Sequence, residues 1–244
     1  GEVMRSDLNA FISDRTAPDG SLPLSYAQVV GAVNDQATPD DYVLTASGGL
    51  PGELNINWHS LGLATFDCEY GFSTMGYELS GGWGAALANA GRGRTYVLVG
   101  DGAYMMMNSD LYSAALAGTD MTVIVCDNEG FAVIERLQVG QGGASYNNML
   151  RDARGDTGAR VDFRAHAAAM GAHAVSVGDI DELRAALADQ RPGVNVIVTR
   201  VRESDWTEGG AFWQVGVPEV SERAQVRDAR ERMDIGLKAQ RRGV

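Results

Sequence analysis

Met121 to Cys126 is a continuous, essentially apolar run, and it constrains this chain more than any other stretch. A strand of that kind has no face to turn to water, so it belongs inside a parallel sheet covered by helices on both sides. The rest of the chain agrees with that demand, alternating short β-rich runs with helical stretches. Tyr42–Ala46, Thr95–Val99, Ala172–Val175 and Val194–Thr199 read as further strands. Ser25–Ala37 reads as a helix with Val29, Val30 and Val33 on its apolar face, and Met75–Ala90, rich in Gly and Ala, as a buried helix. Asn108–Ala117, Val161–Met170 and Asp179–Asp189 complete the set, the last with Asp179 as N-cap. The expected fold class is α/β, a mostly parallel sheet with helices on both faces, followed by an irregular and helical C-terminal tail. Residues 1–24 are expected to be a lead-in, 25–203 the α/β domain and 204–244 an extension. Within the extension, Glu219–Arg242 is expected to be a helix that wraps a neighbour or the parent domain rather than forming its own core.

Composition excludes several partners. With 45% hydrophobic and 21% charged residues, the chain has the make-up of an ordinary globular protein. A net charge of −12 repels a phosphate backbone, so nucleic acid is not an expected partner. No apolar run approaches the ~20 residues that span a bilayer. The opening Gly1-Glu2-Val3-Met4-Arg5-Ser6-Asp7 lacks a signal-peptide layout, so a cytoplasmic protein is expected. Cys68 and Cys126 provide neither a disulfide framework nor metal-ligand spacing, and Cys126 reads as a buried small hydrophobe. His59, His166 and His173 are too scattered for a histidine-built metal site.

The chemistry concentrates at Gly100-Asp101-Gly102, which follows directly on a strand. Open parallel sheets bind ligands at the carboxyl ends of their strands. Glycines on both sides of Asp101 would let the backbone turn sharply and approach a phosphate, and Asp101 supplies the hard oxygen that Mg²⁺ prefers. The 121–126 strand ends at Asp127-Asn128-Glu129-Gly130, where the Asn128 side chain and the Gly130 backbone offer two more oxygens. A lone Gly-Asp-Gly is equally an ordinary turn. Between Gly102 and Asn128, however, lie 25 residues, enough for one helix and one strand that return Asn128 beside Asp101. No strand is followed by Gly-x-Gly-x-x-Gly with an acid downstream, which disfavours a flavin or nicotinamide site.

That spacing resembles the fingerprint of thiamine diphosphate enzymes: Gly-Asp-Gly, some 25 residues, then Asn. The departure is Asp127, where many members carry Asn. The resemblance implies thiamine diphosphate and Mg²⁺ as cofactors, with Asp101, Asn128 and the Gly130 carbonyl as metal ligands. It further implies cofactor contacts from Gly48, Gly49 and Leu50, from Gly100, Gly102 and Ala103, and from Phe131 beside Gly130. In Glu69–Tyr77, Met75 would prop the cofactor into its bent shape, and the Ser73 carbonyl would meet the aminopyrimidine amino group. Taken without these motifs, Met75 reads as a core methionine.

The wording of the segments is narrower still. Gly48–Leu54, Glu69-Tyr70-Gly71, Met75–Glu78, Val99–Ser109 and Gly209–Ser221 resemble 3D-(3,5/4)-trihydroxycyclohexane-1,2-dione hydrolase of inositol breakdown. Trp213 and Pro218 can equally be plain anchors of an irregular tail. The resemblance implies hydrolytic opening of a polyol-derived cyclic diketone, with the cofactor as electron sink. It also implies a pyrimidine-binding domain, usually from a second subunit of a homo-oligomer, that brings the activating glutamate. No segment here fits that domain, so a truncated piece or one chain of a split enzyme is expected. His59, Tyr104 and Glu135 are polar residues expected near the pocket, with no catalytic role assigned to any, and His166 reads as structural. The alternatives are a 2-oxo acid decarboxylase or acetohydroxyacid synthase-like carboligase, and a non-catalytic assembly partner that has kept the fold. Gly140–Gly158, polar and Gly-rich, is expected to be a mobile loop that orders over bound cofactor.

Overall fold

The computed structural model describes residues 2–69, 71–153, 160–207 and 215–240. Its centre is a six-stranded sheet: β1 (Tyr42–Thr45), β2 (Phe66–Cys68), β3 (Thr95–Gly100), β4 (Met121–Asp127), β5 (His173–Val177) and β6 (Val194–Arg200). The strand order is β2-β1-β3-β4-β6-β5, and every pairing is parallel. β4 sits between β3 and β6 and is buried along its length up to Asp127, as its apolar run requires.

The helices are α1 (Glu2–Thr16), α2 (Tyr26–Gln36), α3 (Leu50–Asn57), α4 (Tyr77–Ala88) and α5 (Asp101–Met106), then α6 (Asn108–Leu116), α7 (Ala132–Gly140), α8 (Phe163–Ala169), α9 (Ile180–Ala188) and α10 (Ala224–Ala239). Because strand side chains alternate between faces, the sheet builds two cores. Val43, Leu98, Ile124 and Ile197 pack under α2, α3 and α9 through Val29, Val33, Leu54 and Leu183. Leu44, Val97, Val125 and Val196 pack under α4, α5, α6 and α8 through Leu79, Tyr104, Leu111 and Ala167. Ser25 caps α2 in a full capping box with Gln28, and Asp179 caps α9 by accepting from the Asp181 and Glu182 amides. Cys126 is fully buried in the first core.

Several boundaries differ from the sequence reading. The lead-in is helical: α1 runs from Glu2 and leans on α2, where a Cβ on Gly31 would come within 2.6 Å of Thr16. The Gly- and Ala-rich helix starts at Tyr77 and buries one face only, with Gly84 and Leu87 exposed. Gly82 serves close approach, since a Cβ on it would lie 2.3 Å from Val97. The tail helix α10 does form a small core of its own, Val217, Val226 and Ala229 with Met233, because apolar residues at helical spacing meet the incoming strand of chain. It reaches the parent domain where Arg223 donates to the Gly142 carbonyl at 3.1 Å. Tyr70, residues 154–158 of the Gly-rich segment and 209–214 of the tail motif, Trp213 included, lie outside the described residues. Among the described residues no helix is long and apolar enough to cross a membrane.

Candidate functional site

The chain steps from β1 outward to β2, then returns to the other side of β1 with β3. That reversal is a topological switch point, and a crevice opens there at the carboxyl ends of the strands. The crevice holds a cavity of about 200 Å³. All twelve residues singled out for cofactor or metal contact line it, brought together from four loops.

Gly48, Gly49 and Leu50 come from the turn between β1 and α3. Gly48 has φ +86°, and Gly49 caps α3, whose first turn carries Pro51. Ser73 and Met75 come from the segment between β2 and α4; Ser73 has φ +52°, and Met75 lines the cavity while also packing on the second core. Met75 is thus partly core and partly cavity wall. Gly100, Asp101, Gly102 and Ala103 form the β3–α5 junction, and Asn128, Gly130 and Phe131 the turn between β4 and α7.

The β3–α5 junction corrects the sequence reading. Gly100 has φ −78° and Asp101 is already the first residue of α5, so no left-handed turn is needed there. Gly102 is required for space: a Cβ on it would sit 2.5 Å from the Phe131 ring. The strain lies instead in the next loop, where Glu129 takes φ +62° and Gly130 φ +150°. A Cβ on Gly130 would meet the Asn148 carbonyl at 2.5 Å. Glu129 is held in its left-handed conformation by ion pairs to Arg160 and Arg200, and its amide donates to Asp127 Oδ1 at 3.0 Å.

This loop closes on Asp101. The Gly130 amide donates to Asp101 Oδ2 at 2.9 Å, while Asp101 Oδ1 is buried with no hydrogen-bond partner. Asn128 Oδ1 is in the same condition. Burial, followed by the neighbouring Asp127 charge, pushes the Asp101 carboxyl up to about 7. Two buried, unpartnered hard oxygens in one cavity lining, with Gly130 in the same lining, are a donor set for a hard cation. Among the described residues no three His, Cys, Asp or Glu side chains stand together as a metal cluster. A cation here would have to complete its shell with ligand oxygens and water, as Mg²⁺ does on a diphosphate. The residues present fit such a group.

The three polar residues expected near the pocket do not line it. His59 follows α3 and exchanges hydrogen bonds with Asn34 at the end of α2. Tyr104 points into the second core, its hydroxyl 3.0 Å from His166 Nδ1, so α5 is tied to α8 and His166 has a structural partner. Glu135 lies on α7 but faces Asn148, which donates to it at 3.0 Å. Sequence reasoning missed the opposite wall, where Val133, Ile134 and Leu137 of α7 face Tyr26 and Trp206. Trp206 stacks on Tyr26 with centroids 4.8 Å apart, and Arg136 lies 4.9 Å above its ring. A Cβ on Gly49 would collide with that indole at 1.8 Å. The apolar spacing in Ala132–Leu137 could have signalled α7; nothing local announces Trp206.

These features define a class. Residues 52–198 match the thiamine pyrophosphate enzyme C-terminal TPP binding domain, and the chain belongs to that family. More particularly, it is 38% identical over 201 residues to the 3D-(3,5/4)-trihydroxycyclohexane-1,2-dione hydrolase of Bacillus licheniformis, covering 81% of this chain and 31% of that one. It is 35% identical over 217 residues to the hydrolase of the same name from Halalkalibacterium halodurans, covering 86% and 34%. The chain thus spans about a third of the length of these relatives. The fold is also that of benzoylformate decarboxylase from Polynucleobacter necessarius, with a TM-score of 0.66 at 22% identity over 77% of this chain and 35% of that one.

Proposed function

We propose that this chain supplies the diphosphate- and Mg²⁺-anchoring half of a thiamine diphosphate site, in a hydrolase that opens a trihydroxycyclohexane-dione by C–C cleavage in inositol breakdown. One observation carries the reading: Asp101 Oδ1 and Asn128 Oδ1, from the loops after adjacent strands and in the lining of one cavity, are both buried without a hydrogen-bond partner. A buried polar group left bare costs ~1–3 kcal/mol, and a metal ion removes that cost for both at once. Asp101, Asn128 and the Gly130 carbonyl would hold the ion, and the diphosphate oxygens would fill its remaining positions.

The remaining walls suit the rest of the cofactor. Gly48, Gly49 and Leu50, at the start of α3, line the cavity, and the N-terminus of that helix would favour the anionic diphosphate end. Met75 and the α7 wall enclose an apolar middle. When bound, the cofactor supplies the electron sink for breaking a C–C bond beside a carbonyl. The narrower substrate rests on the relatives' names. The glutamate that activates the aminopyrimidine is assigned to a partner domain: among the described residues the two buried glutamates, Glu53 and Glu78, do not line the cavity and are engaged by hydrogen bonds within the chain.

Calorimetric titration with thiamine diphosphate tests the anchor. Heat is expected with Mg²⁺ and none after chelation; equal heats in both conditions would refute the metal-bridged mode. With the partner domain supplied, consumption of the cyclic diketone is expected and pyruvate should be inert. Pyruvate turnover without diketone turnover would instead assign a decarboxylase or carboligase.

A further inference from the structure

Glu78 is fully buried, carries a charge-bearing group and does not itself line the cavity, though it bonds to Ser47, which does. Its carboxylate nevertheless joins two walls of it. Oε1 accepts from the Ser47 amide at 2.9 Å and from the Ser47 hydroxyl at 3.0 Å. Oε2 accepts from the Gly76 amide at 2.9 Å. Ser47 leads into Gly48 and Gly49 on the diphosphate side, and Gly76 follows Met75 on the side of the cofactor's middle. The two loops belong to different crossovers, after β1 and after β2. Gly76 is itself constrained, with φ +94° and the Met107 side chain 2.4 Å from where a Cβ would stand.

We propose that Glu78 is a positioning residue: its buried carboxylate clamps the loop after β1 to the turn that opens α4, and so fixes the distance between the diphosphate-contacting turn and Met75. The proposal deepens the cofactor reading above and rests on it for the identity of the ligand. Three features make a carboxylate the right group. Only an acceptor with two oxygens can serve two backbone N–H groups that face each other across it, because a carboxamide puts a donor against one of them. Hydrogen bonds to an ionised acceptor are the stronger kind. The second position of α4 also places the negative charge in the helix's first turn, where the dipole favours it. Burial raises the Glu78 carboxyl, and the three donors oppose that rise.

The test uses the full chain and two variants, Glu78→Gln and Glu78→Asp. Amide hydrogen exchange at Ser47 and Gly76 reads the clamp, and urea unfolding reads global stability. Affinities for Mg²⁺-thiamine diphosphate and for Mg²⁺ with inorganic diphosphate read the site. In Glu78→Gln, one of the two amides should exchange at least about tenfold faster, as expected when a buried N–H loses its acceptor. Thiamine diphosphate should bind about tenfold more weakly, while inorganic diphosphate, held by the untouched metal corner, should bind nearly as before. Glu78→Asp keeps the charge but falls short of spanning both loops, so it should show the same split between ligands. Unchanged exchange at both amides would overturn the proposal, as would equal loss of both ligands in step with global stability. Failure of the wild-type chain to bind either ligand would count against the cofactor reading instead, and the exchange rates would still decide the clamp.

Discussion

Asp101 and Glu78 are buried carboxylates at the same edge of the same sheet, and they are satisfied in opposite ways. Glu78 receives three hydrogen bonds, shared between both oxygens. Glu53, also buried, receives three as well, from the Thr207 amide, the Thr207 hydroxyl and Asn57. Asp101 accepts from the Gly130 amide on Oδ2, while its Oδ1, like Asn128 Oδ1 in the same cavity lining, is buried without a hydrogen-bond partner. A carboxylate whose lone pairs are all spoken for by the chain is a clamp. One left half-satisfied in a cavity wall is a binding group, because the fold bears its desolvation without receiving anything back until a ligand arrives. Burial alone does not separate these roles; the partner count of each oxygen does.

Substitutions should break the comparison in a definite order. The largest effect is expected at Glu53, where Ala would strand three buried donors and lower stability by about 3 kcal/mol, read as a lower urea midpoint at unchanged m. Trp206→Ala comes next, at about 2 kcal/mol from lost stacking and apolar burial. It should also weaken cofactor binding, since the indole backs Gly49.

Asp101→Asn should move the other way. The folded-state value of about 7 lies above the 3.8 of an ordinary aspartate, so without metal the folded chain holds a proton that the unfolded chain releases. That contribution is complete below about pH 4 and is lost as pH rises through about 7. The amide removes the ionisation, so the metal-free variant should exceed wild type by on the order of 1–2 kcal/mol at pH 8, a gain that fades towards pH 5. Thermal melts at the two pH values check the sign; a variant less stable at pH 8 would mean that Asp101 is another clamp. The smallest effect belongs to Glu129→Gly. Glycine relieves the φ of +62° but loses exposed ion pairs to Arg160 and Arg200, and the two nearly cancel to within ~0.5 kcal/mol.

Much of this was legible in the sequence, for reasons that can be named. β4 was legible because a strand buried on both faces has no polar face to blur its signal. The pairing of Asp101 with Asn128 was legible because one helix and one strand fit between them and return the chain to the adjacent strand. The caps at Ser25 and Asp179 are local chemistry, and local chemistry reads well. α3 was missed because Leu50-Pro51-Gly52 looks like a breaker, although Pro is suited to a first turn. α5 was missed because glycines around Asp101 suggested a turn, whereas Gly102 answers to the Phe131 ring packed against it. Three-residue β2 is too short to show a period. Trp206 reaches Tyr26 across the whole domain, and so does Thr207 to Glu53; such contacts exist only once the sheet has formed.

The most direct measurement is a titration of Mg²⁺-thiamine diphosphate into wild-type chain and into Asp101→Asn at pH 8, with apo stability measured on the same two samples. The expected result is a variant that is more stable without ligand and shows no Mg²⁺-dependent heat. Mg²⁺-dependent binding that survives the substitution would contradict the assignment of Asp101 as the metal-bearing residue.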